Sequence, residues 1–111
     1  MQQKLLTKEL EKLLPPIGST DGRNPADVKV PVKFFSPYSN WTWYCYEYDP
    51  KERIFFGLVR GFELEFGEVS LDELEAAVKL MQSGVLQLVE RDAHWDPNTT
   101  LLKVKQLEGL V

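Results

Sequence analysis

Four apolar segments in the first part of the chain have the length and composition of β-strands. They are residues 28–35, 41–48, 53–60 and 63–69. The segments that join them are short, and short connections favour antiparallel pairing of successive strands. Pro31 shares one face of the first segment with two lysines, which is typical of a strand at the edge of a sheet. The pattern therefore predicts a four-stranded antiparallel meander that begins with an edge strand.

Two to three helices are predicted beside this sheet. Thr7 can accept a hydrogen bond at the start of a short N-terminal helix. Ser70 begins a second helix through the capping box S-L-D-E, and its apolar stripe continues to Met81. Residues 101–107 have the apolar spacing of a third helix. The fold class is therefore α+β, with the helices packed mainly on one face of the sheet. With 111 residues, the chain is expected to form a single domain, residues 1–111.

Five aromatic residues lie within residues 41–48, in the second predicted strand. Side chains alternate between the faces of a strand, so this stretch separates into two sets. The face that is assigned to the core carries Trp41, Trp43, Cys45 and Glu47. The opposite face carries Thr42, Tyr44, Tyr46 and Tyr48. This tyrosine face is either a surface that binds a partner or a second, thinner core under the N-terminal helix and the loop of residues 15–27.

The turn between the second and third strands sets their predicted register. A four-residue turn at residues 49–52 places Tyr48 opposite Arg53. Parity then pairs Tyr44 with Gly57, so that a tyrosine ring would cover bare backbone.

The only histidine lies in a segment that is rich in acidic residues, E-R-D-A-H-W-D. If this segment is extended, four side chains share one face: Glu90, Asp92, His94 and Asp96. Such a face could bind a divalent metal or exchange protons with a substrate, so a small metal-assisted hydrolase or nuclease is the enzymatic alternative. Arg91 and Arg53 can instead pair with these acids, and the chain has no second histidine and no pair of cysteines for a zinc site. We therefore predict no metal site and no cofactor.

Charge and cysteine content narrow the classes of partner. The chain has 17 acidic and 13 basic residues and a formal net charge of −4, whereas a protein that binds duplex nucleic acid usually has a basic excess. Nucleic acid is therefore an unexpected partner, and single-strand binding on the aromatic strand is kept as a further alternative.

The single cysteine excludes an internal disulfide and favours the cytoplasm. The longest apolar run, residues 54–59, is too short to cross a membrane, so no membrane contact is expected.

Several sequence blocks, taken in order, resemble one bacterial protein family. They are L-L-T-K-E-L-E-K-L-L-P-P, V-K-F-F-S-P-Y-S-N-W-T-W-Y, F-F-G-L-V-R-G-F-E-L-E-F-G with S-L-D-E-L-E, and V-E-R-D-A-H-W-D-P. From about Leu5 to about Thr100, this pattern is similar to the domain-of-unknown-function family 2958. The resemblance implies an accessory protein of plasmids, integrated elements or phage-like regions, with no assigned activity. Because no functional residue is assigned in that family, none is carried over to this chain.

The sequence therefore predicts a small cytoplasmic accessory protein of a bacterial mobile element that acts without catalysis. Its expected partner is another, unidentified protein, and at most a weak homo-oligomer is expected. The predicted contact surface combines the tyrosine face with the acidic segment and consists of Tyr44, Tyr46, Tyr48, Arg91 and His94.

Overall fold

The computed structural model describes residues 3–111, in which seven strands and three α-helices are found. The strands are β1 (Val32–Phe35), β2 (Thr42–Asp49), β3 (Ile54–Arg60), β4 (Leu64–Ser70), β5 (Val78–Met81), β6 (Gly84–Gln87) and β7 (Glu90–Arg91). The helices are α1 (Lys8–Glu11), α2 (Leu71–Ala76) and α3 (Leu101–Leu107), with a short 3₁₀ turn at Pro25–Asp27. Within the described residues, no helix has the length and apolar content that crossing a bilayer would need.

Five of these strands form the main sheet, in the order β4-β3-β2-β1-β7, and all neighbouring pairs are antiparallel. The predicted meander is confirmed for β1 to β4, but the sheet has five strands rather than four. The additional strand arises because β7 pairs with the other side of β1, placing Arg91 opposite Phe34. β1 is therefore an inner strand, and the prediction of an edge strand is wrong. Pro31, which suggested an edge, lies just before β1 and outside its ladder.

The second helix is shorter than predicted. The Ser70 hydroxyl accepts a hydrogen bond from Glu73 N at 3.1 Å, as the capping box predicts, but α2 ends at Ala76. The following residues form a separate two-stranded hairpin, β5–β6. Gly84 begins β6 with a φ of 131°, which glycine adopts readily. The prediction of a helix up to Met81 is therefore wrong, and its expected stripe residues Val78 and Met81 are 38% and 51% exposed in the hairpin.

Two apolar cores lie on opposite faces of the main sheet. The first core contains the buried side chains Leu5, Leu6, Val32, Phe34, Cys45, Tyr48, Phe55, Val69, Leu71, Leu74 and Val89. The second core contains the buried side chains Val28, Val30, Tyr44, Tyr46, Leu58, Leu101 and Val104. The N-terminal segment with α1 and α2 covers the first core, and α3 covers the second. Two of the three helices therefore lie on the face of the first core, and α3 lies alone on the other face.

A β-bulge at Tyr46 divides β2 between the two cores. Cys45 pairs with Gly57, but Glu47 pairs with Phe56, so Tyr46 is an extra residue in β2. This extra residue reverses the alternation of the side chains that follow it. Glu47 therefore faces the second core and not the tryptophan face to which the sequence assigned it.

The register of β2 and β3 also differs from the prediction. Asp49 pairs with Ile54, so the turn begins one residue later than the sequence suggested. Arg53 ends this turn with a φ of 56°, a left-handed conformation that is uncommon for arginine. Tyr44 consequently lies opposite Leu58.

Gly57 lies against the backbone of β2 beside the bulge. A Cβ atom at this position would lie 2.0 Å from the carbonyl oxygen of Tyr44 and 3.0 Å from Cα of Cys45. Backbone, and not the predicted tyrosine ring, therefore covers Gly57. Its partner across the β3–β4 ladder, Gly67, would have no atom within 4 Å of an added Cβ. Packing thus requires glycine at only one of these two paired positions.

Glu47 anchors the loop of residues 15–27 to the sheet. This residue is only 1% exposed. Its Oε1 accepts a hydrogen bond from Gly18 N at 2.8 Å, and its Oε2 accepts one from Thr20 N at 3.0 Å. The Thr20 hydroxyl donates to the same Oε2. One buried carboxylate therefore fixes residues 18–20 of the long loop to the sheet, and Tyr48 N donates a further hydrogen bond to Pro15 O at 2.9 Å.

Candidate interaction site

The three tyrosines of β2 are buried: Tyr44, Tyr46 and Tyr48 are 3%, 5% and 4% exposed. Tyr44 and Tyr46 lie in the second core, whereas Tyr48 lies in the first, with its ring centroid 4.6 Å from that of Phe55. Of the two alternatives for the tyrosine face, the partner-binding surface is contradicted by this burial, because the bulge moves Tyr48 to the opposite side and α3 covers the other two rings. The second-core interpretation is correct for Tyr44 and Tyr46, with α3 as cover in place of the N-terminal helix. The loop of residues 15–27 lies on the same face, where Glu47 binds it. Rings covered in this way cannot stack on nucleic-acid bases.

The Tyr44 hydroxyl fastens α3 to the sheet. It donates a hydrogen bond to Glu108 Oε2 at 2.5 Å. Arg60 contacts the same carboxylate, with Nη2 3.0 Å from Oε2 and Nε 3.0 Å from Oε1. The cover over the second core is therefore held by polar contacts at its C-terminal end as well as by apolar packing.

We expect the free energy of unfolding to fall as the pH rises from about 10 to about 12. Burial and, to a smaller extent, the hydrogen bond to Glu108 raise the pKa of Tyr44 to about 12. Burial also raises the pKa of Tyr46 to about 12, with Glu47 and Asp21 adding negative charge nearby. Unfolded tyrosine, with an ordinary pKa of 10.0, loses its proton first, so alkaline pH favours the unfolded state. Titrations of phenolate absorbance, measured in buffer and in urea, compare the tyrosine pKa values of the folded and unfolded states. Identical titrations would contradict the prediction. Tyr44→Phe should reduce the difference between the two titrations.

The acidic segment is extended only at its beginning. β7 ends at Arg91, and a turn follows at residues 93–94. Asp92 Oδ1 accepts a hydrogen bond from His94 N at 2.9 Å, and Oδ2 lies 3.5 Å from Lys33 Nζ. This turn breaks the alternation from which a shared face was predicted for Glu90, Asp92, His94 and Asp96.

The end of the segment makes structural contacts. Asp96 Oδ1 accepts a hydrogen bond from Asn98 N at 2.9 Å, and its backbone oxygen accepts one from the Thr99 hydroxyl at 2.7 Å. Trp95 Nε1 donates to the carbonyl oxygen of Val30 at 2.8 Å, which attaches the segment to the second core. Among residues 3–111, no group of three or more His, Cys, Asp or Glu side chains is arranged to hold a metal ion.

Arg91 and His94, the remaining members of the predicted contact surface, have different surroundings. Arg91 Nη1 donates hydrogen bonds to the carbonyl oxygens of Lys4 and Leu5, at 2.6 and 3.0 Å. Gln3 Oε1 accepts a hydrogen bond from Arg91 N at 2.7 Å. Arg91 therefore holds the N-terminal segment against β7, while His94 is exposed. Contact of either residue with a partner stays a prediction, but the tyrosines that were expected to join them are buried.

Cys45 is 0% exposed and lies in the first core. Burial raises the pKa of its thiol, so the side chain remains neutral and unreactive. The assignment of Cys45 to the core face of β2 is confirmed.

The outer side of β4 is an open edge of the main sheet. β4 is the last strand in the sheet order, and its seven residues pair with β3 alone. Within the part of the chain that the structure describes, no hydrogen bond joins this outer side to another element. An open edge of this kind can accept an additional strand.

The β3–β4 ladder determines which backbone groups of β4 point outward. Leu71 N donates to Arg53 O at 3.0 Å and Gly61 N donates to Glu63 O at 2.9 Å, and both bonds continue the register of the ladder. In an antiparallel ladder, bonded residues alternate with residues whose N–H and C=O groups point away from the partner strand. The outward groups therefore belong to Leu64, Phe66 and Glu68.

A trough runs beside β4 on the face of the first core. Two adjacent cavities of about 440 and 210 Å³ form it, and Trp41, Val59 and Glu65 line both. The larger cavity continues along β4 to Leu74 of α2, and the smaller one lies at the β3–β4 turn. Phe62 in that turn is 95% exposed, and its ring meets the Trp41 ring edge-on, with centroids 5.3 Å apart.

Three glutamates lie along this edge. Glu63, Glu65 and Glu68 are exposed, and none of them forms an ion pair with another residue of the range 3–111. The open edge is therefore both aromatic and negatively charged. This combination distinguishes it from the buried tyrosines that the sequence favoured.

The sequence contained a partial signal for this edge. The pattern E-L-E-F-G-E at residues 63–68 places glutamates on both faces of an apolar strand, and the last strand of a meander has an open edge unless another strand covers it. No sequence pattern indicated that Phe62 belongs to this site. It meets Trp41 only because the hairpin of β3 and β4 ends beside the beginning of β2.

The family of this chain follows from comparison with known proteins. No curated protein and no solved structure matches the chain. Residues 5–107 match the family DUF2958, which is described as a protein of unknown function. The match covers the sequence blocks from which the resemblance was predicted, and the chain therefore belongs to the DUF2958 family.

Proposed function

We propose that this protein is a non-catalytic binding module that recruits another protein through the open edge of β4. The observation that carries the proposal is the free outer side of this seven-residue strand. Its outward N–H and C=O groups can form hydrogen bonds with an extended segment of a partner, which would continue the sheet by one strand. The trough beside β4 would receive side chains of that segment.

Charge complementarity favours a basic partner segment. Glu65 and Glu68 lie on opposite faces of β4, and Glu63 lies in the turn before it. Lysine and arginine in an added strand would lie beside these glutamates, and opposite charges across a strand pair are stabilising. Pairing of β4 with β4 of a second copy would instead bring glutamates together. A different protein is therefore the better occupant of this edge.

The proposal includes a setting: an accessory protein of a bacterial mobile element, located in the cytoplasm. Its support is the sequence resemblance together with a single cysteine, which cannot form an internal disulfide. The identity of the partner would follow from the genes of that element.

Selection from a library of random short peptides displayed on phage tests the docking strand. We expect the intact chain to enrich basic, extended peptides. The variant Glu68→Pro should not bind them, because proline removes an outward N–H without removing a hydrogen bond to β3. Glu68→Ala is the matched control, since it removes the same charge but keeps the N–H, and it should retain most of the binding.

A second measurement does not depend on the folding of the proline variant. Bound peptide should slow hydrogen exchange at the outward amides of β4, those of Leu64, Phe66 and Glu68. Failure to enrich any peptide over the bare support would exclude the proposed docking strand. Unchanged exchange at these amides in the presence of a bound peptide would exclude it too.

A further inference from the structure

A strand added to β4 would direct alternate side chains to the two faces of the sheet. On the face of the first core these side chains would meet the trough. Its narrow end, at the β3–β4 turn, is a cavity of about 210 Å³. The chemistry of this end determines which side chain of the partner it can accept.

Two aromatic rings meet at a right angle at this narrow end. The planes of Trp41 and Phe62 are inclined by 82°. A Cβ atom added to Gly61 would lie 2.4 Å from two carbon atoms of the Trp41 indole, so the ring rests directly against the glycine backbone. The Trp43 ring lies beside the Trp41 ring, and the centroids of the two rings are 5.8 Å apart. The indole is therefore held in position before any partner binds, which lowers the entropy cost of binding.

Two carboxylates lie at the same end of the trough. Glu63 and Glu65 line the cavity and are exposed, and neither is paired with a basic residue of the described chain. An aromatic face attracts a cation, and a carboxylate binds it through charge-assisted hydrogen bonds. A site that offers both therefore fits a cationic side chain.

Of the two permanent cations among amino acids, arginine fits this geometry better. Its planar guanidinium can stack on a ring and at the same time direct two N–H groups to a carboxylate, whereas lysine offers a compact charge. We propose that the pocket of Trp41, Phe62, Glu63 and Glu65 binds an arginine side chain of the partner segment docked on β4. This inference rests on the proposed function and adds a specificity to it.

The peptides recovered in the phage selection are the first probe. Each is synthesised with its arginine and with citrulline, which has the same shape but no charge. Replacement of arginine by citrulline should weaken the binding of the peptide to the intact chain on the order of tenfold. With Phe62→Ala or Glu65→Gln the two peptides should differ much less. Glu52→Gln, which makes the same change of charge in the exposed β2–β3 turn, should behave like the intact chain.

A small probe tests the pocket without a docked strand. N-acetylarginine methylamide and its citrulline counterpart are titrated into the full chain while the indole N–H signal of Trp41 is followed by NMR. Only the arginine compound should give a saturable shift, and Phe62→Ala should weaken it. Phe62 is suited to this test because its exposed side chain contributes little to folding.

The outcomes separate this inference from the proposed function. Selected peptides without an enriched arginine, equal binding of arginine and citrulline peptides, or equal shifts from both small probes would overturn the arginine pocket. The docking strand would still stand if Glu68→Pro abolished peptide binding. A selection that enriches no peptide would overturn the proposed function and, with it, this inference.

Discussion

Replacing Gly57 by alanine is expected to lower the free energy of unfolding by about 3 kcal/mol or more. The added Cβ would lie 2.0 Å from the carbonyl oxygen of Tyr44, and this neighbour is backbone rather than a flexible side-chain end. β2 cannot move away without disturbing the bulge and both cores. Urea unfolding followed by tryptophan fluorescence measures the loss directly.

Gly67→Ala is the matched control for this prediction. Gly67 lies opposite Gly57 in the β3–β4 ladder, but an added Cβ would meet no atom within 4 Å. Its replacement should therefore leave stability unchanged or raise it slightly, because alanine restricts the unfolded chain more than glycine does. Equal effects of the two substitutions on the free energy of unfolding would contradict the close approach of β2 to Gly57.

Replacing Glu47 by alanine should cost roughly 3 kcal/mol of stability. The substitution removes the acceptor of three hydrogen bonds, two of which come from Thr20, a residue that is only 8% exposed. Because the same contacts hold the loop of residues 15–27, the loop should also become accessible. Urea unfolding and limited proteolysis at Arg23 in this loop measure the two effects.

Two further variants separate the contributions at this site. Glu47→Gln keeps one acceptor oxygen but turns an amide towards N–H donors, so we expect an intermediate loss. Thr20→Val removes only the hydroxyl contact and should cost about 1 kcal/mol. Glu52→Ala, at an exposed glutamate, is the control. If Glu47→Ala were no more destabilising than this control, the anchoring role of Glu47 would be refuted.

Local patterns were sufficient to predict the strands of the meander and the caps of the helices. Ser70 caps α2 and Thr7 caps α1 as the sequence indicates, because a capping hydroxyl acts on residues only three positions away. The limits of β3 were predicted to within one residue, whereas β4, expected as a short strand somewhere in residues 63–69, occupies almost all of that stretch. These features depend on short-range chemistry, which the sequence displays directly.

The errors arose where distant residues determine the geometry. The bulge at Tyr46 changed which β2 side chains face which core, and the turn that ends at Arg53 changed the β3 residues with which they pair. Neither tyrosine nor arginine is a residue type that indicates such geometry in a sequence. The pairing of β7 with β1 closed the edge that was predicted to be open. Burial of the tyrosines, through the bulge and α3, moved the candidate site to β4, which is the terminal strand of the sheet within residues 3–111.

The bulge has a consequence for the way the protein unfolds. No residue of β2 is exposed, and its side chains are divided between the two cores. Detachment of α3 would expose Tyr44 and Tyr46, and detachment of the N-terminal segment would expose Tyr48, so either event withdraws support from the same central strand. The two faces of the sheet therefore cannot form separate folding units. They are coupled through β2, and the layers on both sides should be lost together in one cooperative transition.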